Sequence, residues 1–480
     1  ELENNTFTKL VMRNTDLGDV GMPHLPGILF DTANHIIEMD QSLQFTPDPV
    51  HDDPVLNALS PLTVRRDLDG DGDWDFLEYK GADHVVLGGT EEADHIIGGI
   101  CIDTLWGDGG NDRLDGGYEA DKVFGGAGDD IITNLGGDDF LHGDDGNDVI
   151  HMGSGLVLGF GNAGNDFIMT GPDAQEVFGG EGNDFIIGDQ GSDFLLGNEG
   201  DDWIEGGNGF DVLAGENSEL FFNSPIIGHD VLNGQGNDTD YDGESGDDIM
   251  FQGAGVQRSN GMAGFDWAIH KGDPIGADSD LGIPIFVNQQ DLILRDRFDL
   301  VEGLSGWNHD DVLTGRDDLG GAAAPGGDAA LFDANDSIQS FSNVLLQSSV
   351  DRIQGFDQLV AHLGRVDWTW AGETHTVVVT DETTVQRDGA GNVTFVQENQ
   401  QAPAEILLGG GGSDRLMGKA GNDILDGDAW LNVVVRVNMP DGTSFEIDSL
   451  NEIRGRMLSG EINPGQLEIV RRIETADPST

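Results

Sequence analysis

The chain of 480 residues has one cysteine, Cys101, so no intrachain disulfide forms and a C-x-x-C zinc or redox site is excluded. Basic side chains are scarce too, 22 against 90 acidic ones, for a formal net charge of −68. Such a polyanion is repelled by nucleic acid and by anionic membrane surfaces, which leaves cations as its natural partners. No apolar run approaches the ~18 residues of a membrane helix, so no membrane span is expected. Glu1 opens no signal pattern and there is no initiator Met; the chain is therefore expected to be a piece of a longer protein, and any export to use either a missing N-terminus or a signal elsewhere. Catalytic signatures are missing as well. The 12 histidines form no H-E-x-x-H, and there is no G-x-S-x-G elbow or phosphate-binding loop, so no catalytic or cofactor-binding residue is singled out.

What is abundant is glycine, 74 residues, and it is placed by a clock. Cutting Gly89 to Ala214 every nine residues gives 14 blocks without a gap. Asp holds the sixth position in 12 of them: Asp94, Asp103, Asp112, Asp121, Asp130, Asp139, Asp148, Asp166, Asp184, Asp193, Asp202 and Asp211. Val157 and Gln175 are the exceptions. The eighth position is Ile, Leu or Val everywhere except at Gly159. Glycines in the first half of each block open backbone conformations closed to other residues, and the second half reads as a short strand. Two blocks make one 18-residue coil of a parallel β-roll, which stacks every second Asp at the inter-strand spacing of ~4.8 Å. Carboxylates so stacked repel by about 1 kcal/mol per pair in bulk water and several times that near a protein surface. Calcium, a hard cation taking six to eight oxygens, removes that repulsion, and metal binding and folding are expected to be one event. The two sides differ. Asp94, Asp112, Asp130, Asp148, Asp166, Asp184 and Asp202 form an unbroken column, whereas the other runs Asp103, Asp121, Asp139, Val157, Gln175, Asp193, Asp211 and is expected to break in the middle.

Ahead of the roll, Asp67 to Glu78 (DLDGDGDWDFLE) fits an EF-hand loop, with Asp67, Asp69, Asp71, Asp73, Asp75 and Glu78 as ligands and Gly72 at the sharp turn. Pro61 spoils a long entering helix. After Ala214 comes an insertion near 215–228, then weaker units bearing Asp248 and Asp266, again 18 apart. Residues 271–403 lack the period and read as a β-rich insertion domain of unread function, with THTVVV and NVTFV as strands and RDGAGN as a turn. Two repeats return with Asp414 and Asp423, in phase with Glu405. A hairpin around Pro440-Asp441-Gly442 follows, and then two short helices, signalled by Ser449 with Glu452 and by Asn463, Pro464 and Gln466. Arg454, Arg456, Arg471 and Arg472 are expected on a solvated helix face.

The nonapeptides resemble the G-G-x-G-x-D-x-U-x repeat of RTX (hemolysin-type) calcium-binding proteins. That resemblance implies export by the bacterial type I secretion machinery and folding on extracellular calcium. The segments at 21–40, 65–89, 295–315 and 461–473 resemble very large secreted bacterial proteins that join animal-type haem peroxidase domains to RTX repeats, some implicated in manganese(II) oxidation. No haem-binding signature of those enzymes is present, so haem is expected only in a parent catalytic domain. The expected fold is all-β dominated: an N-terminal segment (1–66), a calcium loop (67–79), the β-roll (80–270), the β-rich insertion (271–403), a second short RTX block (404–428) and a hairpin with C-terminal helices (429–480). The expected role is a calcium-folded scaffold of a secreted haem peroxidase, with calcium ions and a catalytic or adhesive domain of the same parent as partners. The alternative is a structural or adhesive RTX module of a cell-surface or biofilm protein.

Overall fold

The computed structural model describes residues 93–216, 227–236, 238–287, 289–317, 344–370, 372–381, 383–397 and 404–475, together with the strands Val11–Met12, Phe30–Asp31, Ile36–Asp40, Thr63–Arg66, Phe76–Tyr79 and His84–Thr90. The chain is nearly all β, a parallel solenoid of stacked coils with three short α-helices among the described residues. It divides into two compact units. The first comprises Glu1–Gly191 with Ile453–Gln466, the second Ser192–Glu452 with Leu467–Thr480.

In the first unit each coil contributes one strand to each of two parallel rows. One row holds Thr104–Gly109, Lys122–Ala127, Phe140–Asp145, Leu158–Ala163 and Glu176–Glu181. The other holds Arg113–Gly117, Ile131–Thr133, Val149–His151, Phe167–Met169 and Phe185–Ile187. Register follows the nonapeptide clock, Val123 facing Leu105 and Leu141, and Ile132 facing Leu114 and Ile150. Eighth-position side chains from Ile96 to Ile186 point inward and are buried, because alternate residues of a strand face opposite sides. Gly159, which has no side chain to give, is covered by Met152: a Cβ on Gly159 would lie 2.9 Å from its sulfur. Turns stack as closely as strands do. Gly146 donates its N–H to the Ala163 carbonyl at 2.7 Å, and at φ +147° a Cβ there would run into the Gly128 carbonyl.

On the outer surface of the first row, Trp106, Phe124, His142, Phe160 and Phe178 stack ring on ring at 4.6–5.6 Å between centroids. Their faces are occupied by one another. The segment Ile453–Gln466 belongs to this unit, with the helix Arg454–Leu458 held by Arg113, whose guanidinium donates to the carbonyls of Leu458 (3.2 Å) and Ser459 (2.9 Å).

The second unit has the same construction with longer detours. Phe194–Glu199, Asp211–Ala214, Thr239–Asp242, Gln257–Asn260 and Arg297–Asp299 form one row. Trp203–Glu205, Val231–Asn233, Ile249–Phe251, Trp267–Ile269, Gly303–Ser305, Ile406–Leu408 and Ile424–Asp426 form the other. Within the stretch that the sequence sets apart at 271–403, therefore, the strands at 297–305 build coils. Phe298 and Leu304 bury as coil aliphatics do, but without the Gly-x-Asp turn that makes the period visible. A third parallel row, Asp278–Asp280, Val312–Thr314 and Arg415–Met417, lies beside them. The hairpins Gly364–Trp370 with Glu373–Val379 and Thr384–Arg387 with Val393–Gln397 follow the helices Gln347–Arg352 and Phe356–Leu359. The hairpin at Gly442 forms between Ala429–Asn438 and Ser444–Ile447. After Asn463 and Gln466 cap only a 3-10 turn, β-branched Ile469, Val470 and Ile473 lie in a strand, Leu467–Thr475, antiparallel to Ala429–Asn438. Arg471 thus sits buried in a sheet rather than on a solvated helix.

Candidate metal centre

The sixth-position carboxylates of the first unit are buried and linked coil to coil. The N–H of Asp94 donates to Oδ1 of Asp112, and the same bond joins Asp112 to Asp130, Asp130 to Asp148, Asp148 to Asp166, and Asp166 to Asp184, each at 2.7–2.8 Å. The second oxygen has a different fate. Oδ2 of Asp112, Asp130, Asp148 and Asp166 is buried and accepts no hydrogen bond. It faces the glycine turn. A Cβ built on Gly107 would meet Asp112 Oδ2 and the Gly125 carbonyl, and Gly125, Gly143 and Gly161 repeat the relation with Asp130, Asp148 and Asp166 and the carbonyls of Gly143, Gly161 and Gly179. Glycine is required there because any side chain would fill the space where carboxylate and carbonyl oxygens converge.

Leaving water is what perturbs these acids. Burial pushes Asp112 and Asp148 to about 9, Asp166 to about 8 and Asp130 to about 7, against the lowering effect of the backbone hydrogen bond, and neighbouring carboxylates add to the rise. A buried oxygen with lone pairs and no donor costs free energy. The available atoms are hard oxygens, carboxylate and carbonyl, converging on a glycine turn, and this donor set fits calcium better than a thiol- or imidazole-seeking metal.

The other column of the first unit is different. Asp103 and Asp121 join the ladder at 2.7 Å, and Asp121 joins Asp139 at 2.6 Å. Asp121 Oδ2 is again unpartnered and its carboxyl rises to about 9. Asp139 Oδ2, however, accepts a bond from the Asn134 amide, and its carboxyl rises only to about 6. Beyond it Val157 is buried, and Gln175 fills the turn. The Gln175 Nε2 donates to the carbonyls of Gly153 (2.9 Å) and Gly155 (3.1 Å), while Oε1 accepts the Gly171 N–H at 3.0 Å. A neutral amide here occupies carbonyl oxygens of the kind that elsewhere face a carboxylate.

In the second unit the N–H of Asp193 meets Asp211 at 3.0 Å. Asp202 meets Asp230, 28 residues on, at 2.8 Å, and the ladder proceeds through Asp248 and Asp266 to Glu302. Oδ2 of Asp211, Asp230, Asp248 and Asp266 accepts no hydrogen bond. Asp311 joins Asp414 at 2.9 Å and Glu405 joins Asp423 at 3.1 Å. The sequence reading missed Asp230, displaced by the insertion, and Asp311 and Glu302, which have no complete glycine turn before them. On the opposite side neutral groups take over. The Tyr241 hydroxyl accepts the Gly234 N–H and donates to the Phe251 carbonyl, and Gln252 bonds Ser259 at 3.0 Å. His270 likewise lies between Asp273 and Ser279, both at 2.8 Å. That last trio has the composition of a hydrolase triad, but Ser279 is 1% exposed, and the pair repeats the Gln252–Ser259 filling one coil earlier.

Asp67, Asp69, Asp71, Asp73 and Asp75 lie outside the described residues, and Glu78 falls in the strand Phe76–Tyr79, antiparallel to Thr63–Arg66. No described helix is long and apolar enough to cross a membrane. No curated protein and no solved structure matches the chain. The family model of the RTX calcium-binding nonapeptide repeat (4 copies) matches residues 88–117, 97–132, 106–141, 124–155, 178–213 and 404–429. Its matched segments hold Asp94 to Asp148 and Asp184 of the first unit and Asp193, Asp202, Asp211, Glu405, Asp414 and Asp423 of the second, and leave Asp166, Asp230, Asp248, Asp266, Glu302 and Asp311 outside, so the chain carries RTX calcium-binding nonapeptide repeats folded as a parallel β-roll.

Proposed function

We propose that this chain is the calcium-folded scaffold of a secreted bacterial protein, with the ladder carboxylates Asp94 to Asp211, Asp248, Asp266, Asp414 and Asp423 as ligands and the loop from Asp67 to Glu78 as a further calcium site. The observation that carries the reading is the series of buried, unpartnered Oδ2 atoms on successive coils, facing glycine turns. Bound calcium supplies the positive charge that these oxygens lack. The chain's own contribution is to fix Oδ1 on the neighbouring coil, to aim Oδ2 at the turn and to keep water from the stack. Where calcium is scarce the same carboxylates oppose the fold, which suits a chain that crosses a membrane unfolded and closes outside the cell. Export by type I machinery follows from this reading.

The parent is, on this proposal, a large haem peroxidase, and this chain is its non-catalytic part; the support is the resemblance of the four non-repeat segments. Circular dichroism of the chain tests the scaffold reading. Millimolar calcium restores β signal cooperatively in a chelator-treated sample and magnesium does not, since magnesium demands a tight octahedral shell and sheds water reluctantly. Equal β content in excess chelator would sink it. A haem absorbance band in the intact parent protein tests the peroxidase assignment, and its absence favours the adhesive alternative.

A further inference from the structure

The two edges of the first unit carry different turns. On the edge that bears Asp103, Asp121 and Asp139, the turns at 99–102, 117–120, 135–138 and 153–156 stack coil on coil. The N–H of Tyr118 donates to the Gly99 carbonyl at 3.1 Å, that of Leu135 to Gly117 at 3.0 Å and that of Ser154 to Leu135 at 3.3 Å. Each of the four turns holds a large apolar side chain out to solvent: Ile100 and Ile102, Tyr118, Leu135 and Leu156 are 48–65% exposed. The repeat does not demand them. Nine residues on, at the same positions of the turns on the other edge, stand Gly109, Asn111, Ala127, Asp144 and Asn165. Apolar side chains exposed singly need no explanation, but a row of them on adjoining turns marks a surface for contact. The row also follows the place where this edge gives up charge, since Leu135 comes after Asn134, which bonds Asp139, and Leu156 comes before Val157.

The size and the rim of the row select its occupant. Adjoining turns lie ~4.8 Å apart, so four of them span about 14 Å, the length of about ten helical residues. Glu119, Asp138 and Asp173 are exposed beside the apolar tips. The amides of Leu156 and Gly155 fix Asp138 and Asp173 there, donating to them at 3.1 and 2.9 Å. No Lys or Arg occurs in these four turns or in the next, at 171–174. A second copy of the chain brings the same net charge of −68, and a standard interface takes about 20–30 residues a side, far more than this row supplies. An added strand needs unpaired backbone, and here neighbouring turns take up one another's amides. A helix with one apolar face and basic flanks meets both the strip and its acidic rim.

We propose that this edge of the first unit docks a short, basic amphipathic helix of a partner protein, its apolar face on Ile100, Tyr118, Leu135 and Leu156 and its flanking Lys or Arg side chains on Glu119, Asp138 and Asp173. The surface exists only while the coils are closed, whichever cation closes them.

The test uses the full chain in saturating calcium, with circular dichroism on every sample to show that the roll is closed. The probe is a synthetic leucine–lysine peptide whose leucines fall on one helix face; a scrambled peptide of the same composition measures attraction to the net charge alone. In calorimetric titrations the native chain binds the amphipathic peptide about tenfold more tightly than the scrambled one. The triple variant Tyr118→Ser, Leu135→Ser, Leu156→Ser loses that preference, and Glu119→Lys weakens it with the apolar row intact. Equal binding of the two peptides by the native chain, or an undiminished preference in the triple variant, would overturn the proposal. Should the triple variant fail to close, the native preference and its weakening in Glu119→Lys decide. Dimers in sedimentation velocity, or capture by phosphatidylcholine vesicles, seen with the native chain and lost in the triple variant would assign the row to a second copy or to a lipid surface and overturn the helix.

Discussion

Gln175 donates its side-chain amide to the carbonyl of Gly153 at 2.9 Å, spanning 22 residues of sequence to close a turn that its neighbours leave to a carboxylate. The column that contains it thus changes from charged ladder to neutral filling within one unit. Asn134, by contrast, donates its amide to a carboxylate that is present, the Oδ2 of Asp139.

Substitutions on the two sides of the first unit are accordingly unequal in kind. Asp148→Ala removes a ladder acceptor and a carboxylate, and calcium affinity measured by titration calorimetry falls. Gln175→Ala leaves affinity nearly unchanged but loses three hydrogen bonds, lowering stability in saturating calcium by about 1–3 kcal/mol. Equal losses of calcium affinity in the two variants would refute the distinction.

The Glu302–Glu405 step is closed by Arg316, with Nε 3.5 Å from Glu405 Oε1 and Nη2 3.9 Å from Glu302 Oε1, so removing the guanidinium exposes a calcium requirement that the native chain does not have there. Arg316→Gly lowers thermal stability in low calcium, and high calcium recovers more of it than in the native chain. Glu405, held up at about 8 by burial even with Arg316 beside it, is the group left uncompensated. A loss of stability that is independent of calcium would show that the arginine acts by packing alone.

Without calcium, acidity favours the roll. The carboxyls of Asp112, Asp121 and Asp148 lie at about 9 in the fold against 3.8 in the unfolded chain. Between those values the folded coils bind more protons than the unfolded chain, and stability falls as pH rises. The stabilising protonation is complete below about pH 4 and lost through about pH 9. In calcium-depleted buffer the β signal is therefore stronger at pH 5 than at pH 8, while apparent calcium affinity runs the other way because protons must leave first. Stronger signal at pH 8 without calcium would contradict this.

The ring stack supplies stability that owes nothing to charge. Phe160 lies 4.6 Å from His142, 5.0 Å from Phe178 and 5.1 Å from Phe140. Phe160→Ala costs about 2–4 kcal/mol, read as a lower unfolding midpoint in calcium with the calcium stoichiometry unchanged. A change in stoichiometry would mean that the outer face and the ion turns are coupled.

The coil was legible because its two demands, an inward aliphatic and a turn carboxylate, recur at fixed spacing in residues 89–214. Legibility ended where geometry replaced spacing. Asp266 meets Glu302 after 36 residues and Asp311 meets Asp414 after 103, so the ladder persists while the clock does not. Glutamate in place of aspartate hid Glu302 further. The fillers escaped notice for another reason: nothing in the identity of Asn134 or Tyr241 says that its polar end turns inward, since that depends on which carbonyls the turn leaves open. Asn463 and Gln466 carry the signature of a helix start that would put Arg471 on a helix, and the alternation that makes Leu467–Thr475 a strand acts only when Ala429–Asn438 lies alongside.

The bond from each ladder amide to the next carboxylate makes every coil of the first unit answer chiefly to the coil before and the coil after. In such a one-dimensional array, loss of order travels as a front. Calcium withdrawn from the medium lets that front move one coil at a time. At Asn134 and Gln175 it meets turns whose closure owes nothing to the ion on that side. The hydrogen bonds of these neutral amides need no ion, so the front is expected to slow there.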